Sequence, residues 1–167
     1  MTDLDLDLYR ACKKNRRSSD DLLQAFEETQ GVSLLYPDYE GFTRKDGSRR
    51  GPDVSRIKDP AGDNWVCGIN DMNKTPGRPV ISSNEGVSIS KDAGKFGYAM
   101  WYYFLLPKGT TIPECFDISQ TGHDASHYSI RLKNRMRQDA YEGALDNLAR
   151  ASLAKAVELK RKSLSFE

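Results

Sequence analysis

The sequence predicts an α+β fold, and three features of the chain carry that expectation. Apolar residues alternate with polar ones where Leu4, Leu6 and Leu8 interleave with Asp3, Asp5 and Asp7, and Tyr128, Ile130 and Leu132 repeat the pattern, which is the period of a half-buried strand. The segment from Tyr98 to Leu106 is the most hydrophobic of the chain, and its Tyr98, Trp101, Tyr102, Tyr103 and Phe104 predict a central strand. Near the end, Ala140, Ala144, Leu148, Ala151, Ala154 and Val157 recur in steps of three and four. That spacing predicts one amphipathic helix from about Met136 to Lys162.

The remaining elements follow in order. The N-terminal strand runs into Tyr9, Arg10 and Ala11 before basic residues and an asparagine break the pattern. Ser18 or Ser19 can cap a helix whose first turn holds Asp20 and Asp21 and whose apolar side is Leu22, Leu23 and Phe26, with Gly31 as its stop. Val32, Leu34 and Leu35 form a short apolar run ending at Pro37. From Pro37 to about Pro79 glycine, proline, aspartate and arginine dominate, which reads as long loops with short strands, one near Trp65 to Ile69. Val80 to Ser90 alternates again through Val87 and Ile89. Pro107-Lys108-Gly109 is a turn, Ile112 to Phe116 a short extended piece, and His127 to Leu132 a strand with Tyr128, Ile130 and Leu132 on one face.

At 167 residues, with no linker and no internal repeat, the chain reads as one domain spanning residues 1–167, long enough to bury a core without disulfides. Its 25 Lys and Arg against 24 Asp and Glu give a net charge of +1, which exerts no general pull on nucleic acid or on a membrane surface. The three cysteines, Cys12, Cys67 and Cys115, are odd in number and lack a CxxC spacing, so neither a disulfide framework nor a zinc knuckle is expected, and a reducing, cytoplasmic setting fits. The acidic start has no basic n-region and no apolar h-region, so no cleavable signal peptide is expected, and no stretch reaches the roughly 18 apolar residues of a membrane span.

Five stretches fall in a recognisable order: Leu8-Tyr9-Arg10-Ala11; Gly51-Pro52-Asp53-Val54; Gly86-Val87-Ser88-Ile89; Phe104 through Pro113; and His127-Tyr128-Ser129-Ile130, followed by Met136, Tyr141, Leu145-Asp146-Asn147, Arg150 and Ala151. Together they resemble the type VI secretion effector 2 toxin family. The resemblance implies an ADP-ribosyltransferase-like split antiparallel sheet with flanking helices and a long C-terminal helix. It further implies a growth-arresting toxin acting in the cytoplasm, with NAD as substrate, an unknown macromolecular target and an immunity protein as possible partner.

Transferases of this kind break the bond between nicotinamide and its ribose through an oxocarbenium-like transition state, so the site must hold phosphates and riboses and stabilise positive charge. By resemblance, Tyr9 and Arg10 are the first element, the guanidinium offering a planar fork to a phosphate or ribose. Val87 and Ser88 are the second; relatives carry Thr-Ser after the glycine, and valine here keeps the shape but not the hydroxyl. His127 and Tyr128 are the third, the imidazole serving as a ribose partner or as an acid or base. Arg10, Ser88 and His127 are thus the candidate catalytic set, and Tyr9, Arg10, Val87, Ser88 and Tyr128 the NAD-binding set. No Glu-x-Glu or Gln-x-Glu precedes the last strand; Gln120, His123, Asp124 and, further back, Glu114 are the polar groups in that region. Two alternatives stay open: nucleotide or phosphate transfer to RNA on the same scaffold, and a non-catalytic binding module. No metal is expected at the His123 and His127 pair, whose intervening residues carry no glutamate base.

Overall fold

A computed structural model describes residues 2–13, 34–71 and 86–164. The helix expected between Ser18 and Gly31, Val32, and the beginning of the Val80 to Ser90 stretch lie outside the described residues. In chain order the strands are β1 (Thr2–Asp3), β2 (Leu8–Lys13), β3 (Phe42–Thr43), β4 (Arg49–Arg50), β5 (Arg56–Lys58), β6 (Asn64–Val66), β7 (Val87–Ser90), β8 (Trp101–Leu106), β9 (Thr111–Ile112), β10 (Phe116–Gln120), β11 (His127–Leu132) and β12 (Met136–Arg137). Helix α1 (Gln138–Leu164) follows. The pairs β1–β9, β2–β7, β2–β8, β3–β4, β5–β6, β6–β12 and β10–β11 are antiparallel, so the architecture is α+β with one long C-terminal helix, as expected. The chain gathers into two compact units, the first built from residues 1–35, 89–114 and 144–167, the second from 36–88 and 115–143. No helix among the described residues is long and apolar enough to cross a membrane.

In the first unit β2 pairs with β8 from Leu8 against Leu106 to Lys13 against Trp101, and Tyr9 on its other side pairs with Ser90. The Leu-Asp alternation does not make one continuous strand. It bends after β1, where the Leu4 N–H donates to Thr110 O at 2.8 Å, the Gly109 N–H donates to Leu4 O at 2.7 Å, and Asp7 Oδ1 accepts the Lys108 N–H at 2.7 Å. Leu4 and Leu8 are buried on either side of that bend. The turn residue Gly109 has φ +90°, a conformation that suits glycine.

The aromatic strand departs from expectation. Residues 98–100 precede it, and β8 lies at the edge, pairing with β2 alone among the described residues. Only Phe104 and Leu106 of its side chains are buried. Trp101 and Tyr103 instead pack on the preceding loop, against Phe96 at 5.3 Å and Tyr98 at 5.4 Å between ring centroids. Aromatic content therefore reflects an outer cluster rather than burial on both faces.

Within α1 the inward stripe is also displaced from the expected one. Leu145, Leu148, Ala149 and Ser152 are buried in the first unit, whereas Ala154 and Val157 are exposed and Ala144 and Ala151 half-buried. Leu145 and Leu148, which gain more from leaving water than alanine does, set the core face, and Ala149 and Ser152 fall on it beside them. Met136 and Arg137, expected to be helical, pair instead with Val66 and Trp65 as β12.

In the second unit β10 and β11 form a hairpin in register from Phe116 against Leu132 to Gln120 against Tyr128, and β7 lies beside β11. Strand β11 covers the expected residues, but its buried side chains are Ser129, Ile130 and Leu132 while Tyr128 is half-buried. Strands β5, β6 and β12 form a small sheet, and β3 and β4 a two-residue ladder, so the described part of the glycine- and proline-rich stretch, as far as Asp71, is loops with short strands. Val54, Val66, Val87, Phe116, Ile130, Leu132 and Tyr141 make the core, Tyr141 meeting Phe116 edge-on at 5.9 Å.

Candidate functional site

His127 opens β11 at the point where the β10–β11 hairpin closes. Its position follows from local bonds. The Thr121 N–H donates to His127 O at 3.0 Å and the His127 N–H to Asp124 O at 3.0 Å. Asp124 Oδ1 accepts both the N–H and the hydroxyl of Ser126, at 2.9 and 2.8 Å. Gln120 Nε2 donates to the carbonyls of Gly122 and Asp124. Gly122, at φ +74°, supplies the left-handed residue that the turn requires.

The imidazole held there faces Ser88. His127 Nε2 lies 3.2 Å from Ser88 Oγ, bridging β11 and β7. Its Nδ1 lies 3.0 Å from Thr121 Oγ1 and 3.2 Å from Thr121 O. Thr121 Oγ1 is in turn 2.7 Å from Ser129 Oγ, whose residue is fully buried. A hydroxyl against an imidazole whose far nitrogen is oriented by a third group is an arrangement that moves protons or holds sugar hydroxyls.

Two of the three candidate catalytic residues, Ser88 and His127, are therefore in direct contact. Val87 is fully buried, so it shapes the strand from the core side, and Tyr128 is half-buried next to His127. Tyr9 and Arg10 lie on β2 of the first unit, half-buried, opposite Leu105 and Phe104. Of the polar groups near the expected glutamate position, Gln120 and Asp124 build the hairpin loop, while His123 and Glu114 are exposed. Both ring nitrogens of His127 have protein partners, and no group of three or more potential metal-ligating side chains occurs among the described residues.

Sequence reasoning missed Thr121 and Ser129. The available signal was hairpin symmetry: once β10 and β11 are paired, Thr121 falls opposite His127 and Ser129 beside it. A second polar cluster had no local signal, because its members are far apart in the chain. Tyr39 donates its hydroxyl to Glu142 Oε2 at 3.0 Å, across 103 residues. Arg56 stacks over the Tyr39 ring at 4.6 Å and donates to Gln138 Oε1 and Glu40 Oε1 at 3.1 and 2.8 Å. Burial, and then the bond to the Glu142 carboxylate, push the Tyr39 phenol well above its ordinary pKa, so it stays a donor. Gln138 and Glu142 also line a cavity of about 270 Å³ with Asp63, Asn64, Arg137 and Asp139. A second cavity, of about 330 Å³, is lined by Ile57, Lys58, Asp59, Pro60, Trp65 and Arg135. Cys12 on β2 is no nucleophile at neutral pH, since burial pushes its thiol up to about 11.

The sequence matches the model of the Tse2 ADP-ribosyltransferase toxin family over residues 6–157 of 167. The chain belongs to that family. The match runs from just before β2 into the last third of α1, so it takes in both units and every candidate site residue. No curated protein matches the chain. The Tse2 family is one of toxins with ADP-ribosyltransferase-like function, and the Ser88–His127 contact lies within its matched span.

Proposed function

We propose that the protein is a growth-arresting toxin that transfers ADP-ribose from NAD to a macromolecule, with Ser88 and His127 at the reaction centre. The observation that carries this reading is the 3.2 Å contact between Ser88 Oγ and His127 Nε2, made by residues from two separate family stretches. An imidazole and a hydroxyl side by side suit the hydroxyls of the nicotinamide ribose, where the bond to nicotinamide breaks and positive charge develops. Tyr9 and Arg10 would contribute to NAD binding, Arg10 through its fork of donors. Tyr128, half-buried beside His127, would pack on the ligand, and Val87 would hold β7 in place from below. The family match through both units supports treating residues 1–167 as one toxin domain. The cytoplasm of the producing or target cell as the place of action, type VI delivery and an immunity protein rest on the family resemblance alone.

The test is direct. Purified protein incubated with NAD releases nicotinamide and labels an acceptor, and expression of the chain inside a bacterial or yeast cell arrests growth. Ser88→Ala and His127→Ala each lower nicotinamide release by roughly a hundredfold, the scale of a lost acid–base group, and Arg10→Ala weakens NAD binding. A folded wild type that is harmless and leaves NAD intact refutes the reading. A second reading, nucleotide or phosphate transfer to RNA, draws on the same imidazole–hydroxyl contact. It is the one left standing if treated cells accumulate cut or modified RNA while NAD is untouched.

A further inference from the structure

The contacts of His127 have a direction. A carbonyl oxygen only accepts, so the approach of Nδ1 to Thr121 O at 3.2 Å is attractive only if Nδ1 carries a hydrogen. The opposite tautomer would aim the Nδ1 lone pair at that oxygen. With the hydrogen on Nδ1, shared between Thr121 O and Oγ1, the Thr121 hydroxyl turns its own hydrogen to Ser129 Oγ at 2.7 Å. Nε2 is then bare and accepts the Ser88 hydroxyl hydrogen at 3.2 Å. All four bonds are satisfied by this one arrangement. Because Thr121 and Ser129 are 7% and 0% exposed, water does not compete for the bonds between them.

We infer that Thr121, backed by Ser129, is a positioning residue that fixes neutral His127 as the Nδ1–H tautomer, so that His127 acts as a base toward Ser88. The inference deepens the proposed function and rests on it only for the consequence in catalysis. With its hydrogen committed to Nε2, Ser88 Oγ acts toward other groups as an acceptor. As the acceptor's nucleophile bonds to the ribose C1′ of NAD and the bond from C1′ to the nicotinamide nitrogen breaks, nicotinamide leaves as the neutral molecule, the nucleophile's proton passes to Ser88 Oγ and the Ser88 hydrogen passes to His127 Nε2. The resulting imidazolium keeps its Nδ1–H on Thr121. The ring is oriented by a hydroxyl and a carbonyl rather than by a carboxylate.

Two measurements test this. The first is the nitrogen NMR spectrum of the ¹⁵N-His-labelled full chain, which assigns the neutral tautomer of His127 without reference to NAD. The expected result is Nδ1 protonated and Nε2 bare, with Thr121→Val, which keeps the Thr121 carbonyl, retaining that tautomer but shifting the Nδ1 signal through loss of the hydroxyl partner, and Thr121→Ser restoring the wild-type spectrum. Nε2 protonated in the neutral wild type overturns the inference, whatever the enzyme does. The second is the pH profile of nicotinamide release. Thr121→Val is expected to lower the rate roughly tenfold, a part of what a general base contributes, and to move the acidic limb, with recovery in Thr121→Ser and little change in KM. An unchanged profile in a folded Thr121→Val protein also overturns it. Should no variant, wild type included, release nicotinamide while the NMR result holds, the transferase reading fails and the tautomer assignment stands.

Discussion

The hairpins β5–β6 and β10–β11 both close through an aspartate, yet only one of them turns a ring nitrogen toward a neighbouring strand. In the first, Asp59 Oδ1 accepts the N–H groups of Ala61 and Asp63, and Oδ2 accepts the indole N–H of Trp65 at 2.9 Å. In the second, Asp124 Oδ1 serves Ser126, and the ring at the end of the loop is held by Thr121 instead. The difference lies in the rings. An indole has a single polar atom, so binding it to the loop leaves the ring as an inert wall. An imidazole has two, so the loop can grip one nitrogen and leave the other for Ser88. Similar turn chemistry thus yields a fixed pocket lining in one hairpin and, in the other, an imidazole held between Thr121 and Ser88.

The largest effect that sharpens this contrast is expected at Gly86, just before β7. A Cβ there would sit 2.6 Å from Ile130 O on the neighbouring strand, and φ is +153°. Gly86→Ala should destabilise the protein by roughly 2–4 kcal/mol in urea unfolding and remove activity by parting Ser88 from His127, while the Trp65 indole N–H signal stays in place. Next comes the pair of aspartates. Asp124→Ala loses the bonds to Ser126, with a cost of about 1 kcal/mol, and should lower nicotinamide release several-fold because the loop holding His127 loosens. Asp59→Ala should shift the Trp65 indole signal and leave the rate unchanged. Equal effects of the two on the rate would break the comparison.

The smallest effect is one of pH. The Trp65 indole N–H, and after it the Asp63 N–H, hold the Asp59 carboxyl below the ordinary aspartate value. A depressed carboxyl stabilises the fold above the ordinary value, and that contribution is lost as pH falls through the lowered one. The Trp65 indole N–H signal should therefore persist down to and below about pH 4 and move only in stronger acid. A shift centred at the ordinary carboxylate value would show that the loop does not grip the ring as described.

Much of this molecule was legible in its sequence where the chain pairs locally. β11 was readable from its alternation, whereas the contact of Ser88 with His127 was not, since the two stand 39 residues apart. The misreadings share one cause, that hydrophobicity does not say which neighbour a side chain meets. The aromatic run pointed to a central strand because nothing in it shows that Trp101 and Tyr103 pack on their own preceding loop. The alanine spacing of α1 drew the stripe away from Leu145 and Ser152 because frequent small residues mimic a periodic face. The link from Tyr39 to Glu142 had no trace at all, since a single phenol and a single carboxylate far apart in the chain have no pattern.

The buried hydroxyls of Thr121 and Ser129 constrain how this sequence can drift. Losing one alone strips the other of a partner where water cannot replace it, whereas exchanging both for apolar residues of like shape is far less harmful to the fold. Among descendants of this chain, positions 121 and 129 should therefore change together or not at all, and lineages that abandon both should be those in which the imidazole has also lost its task.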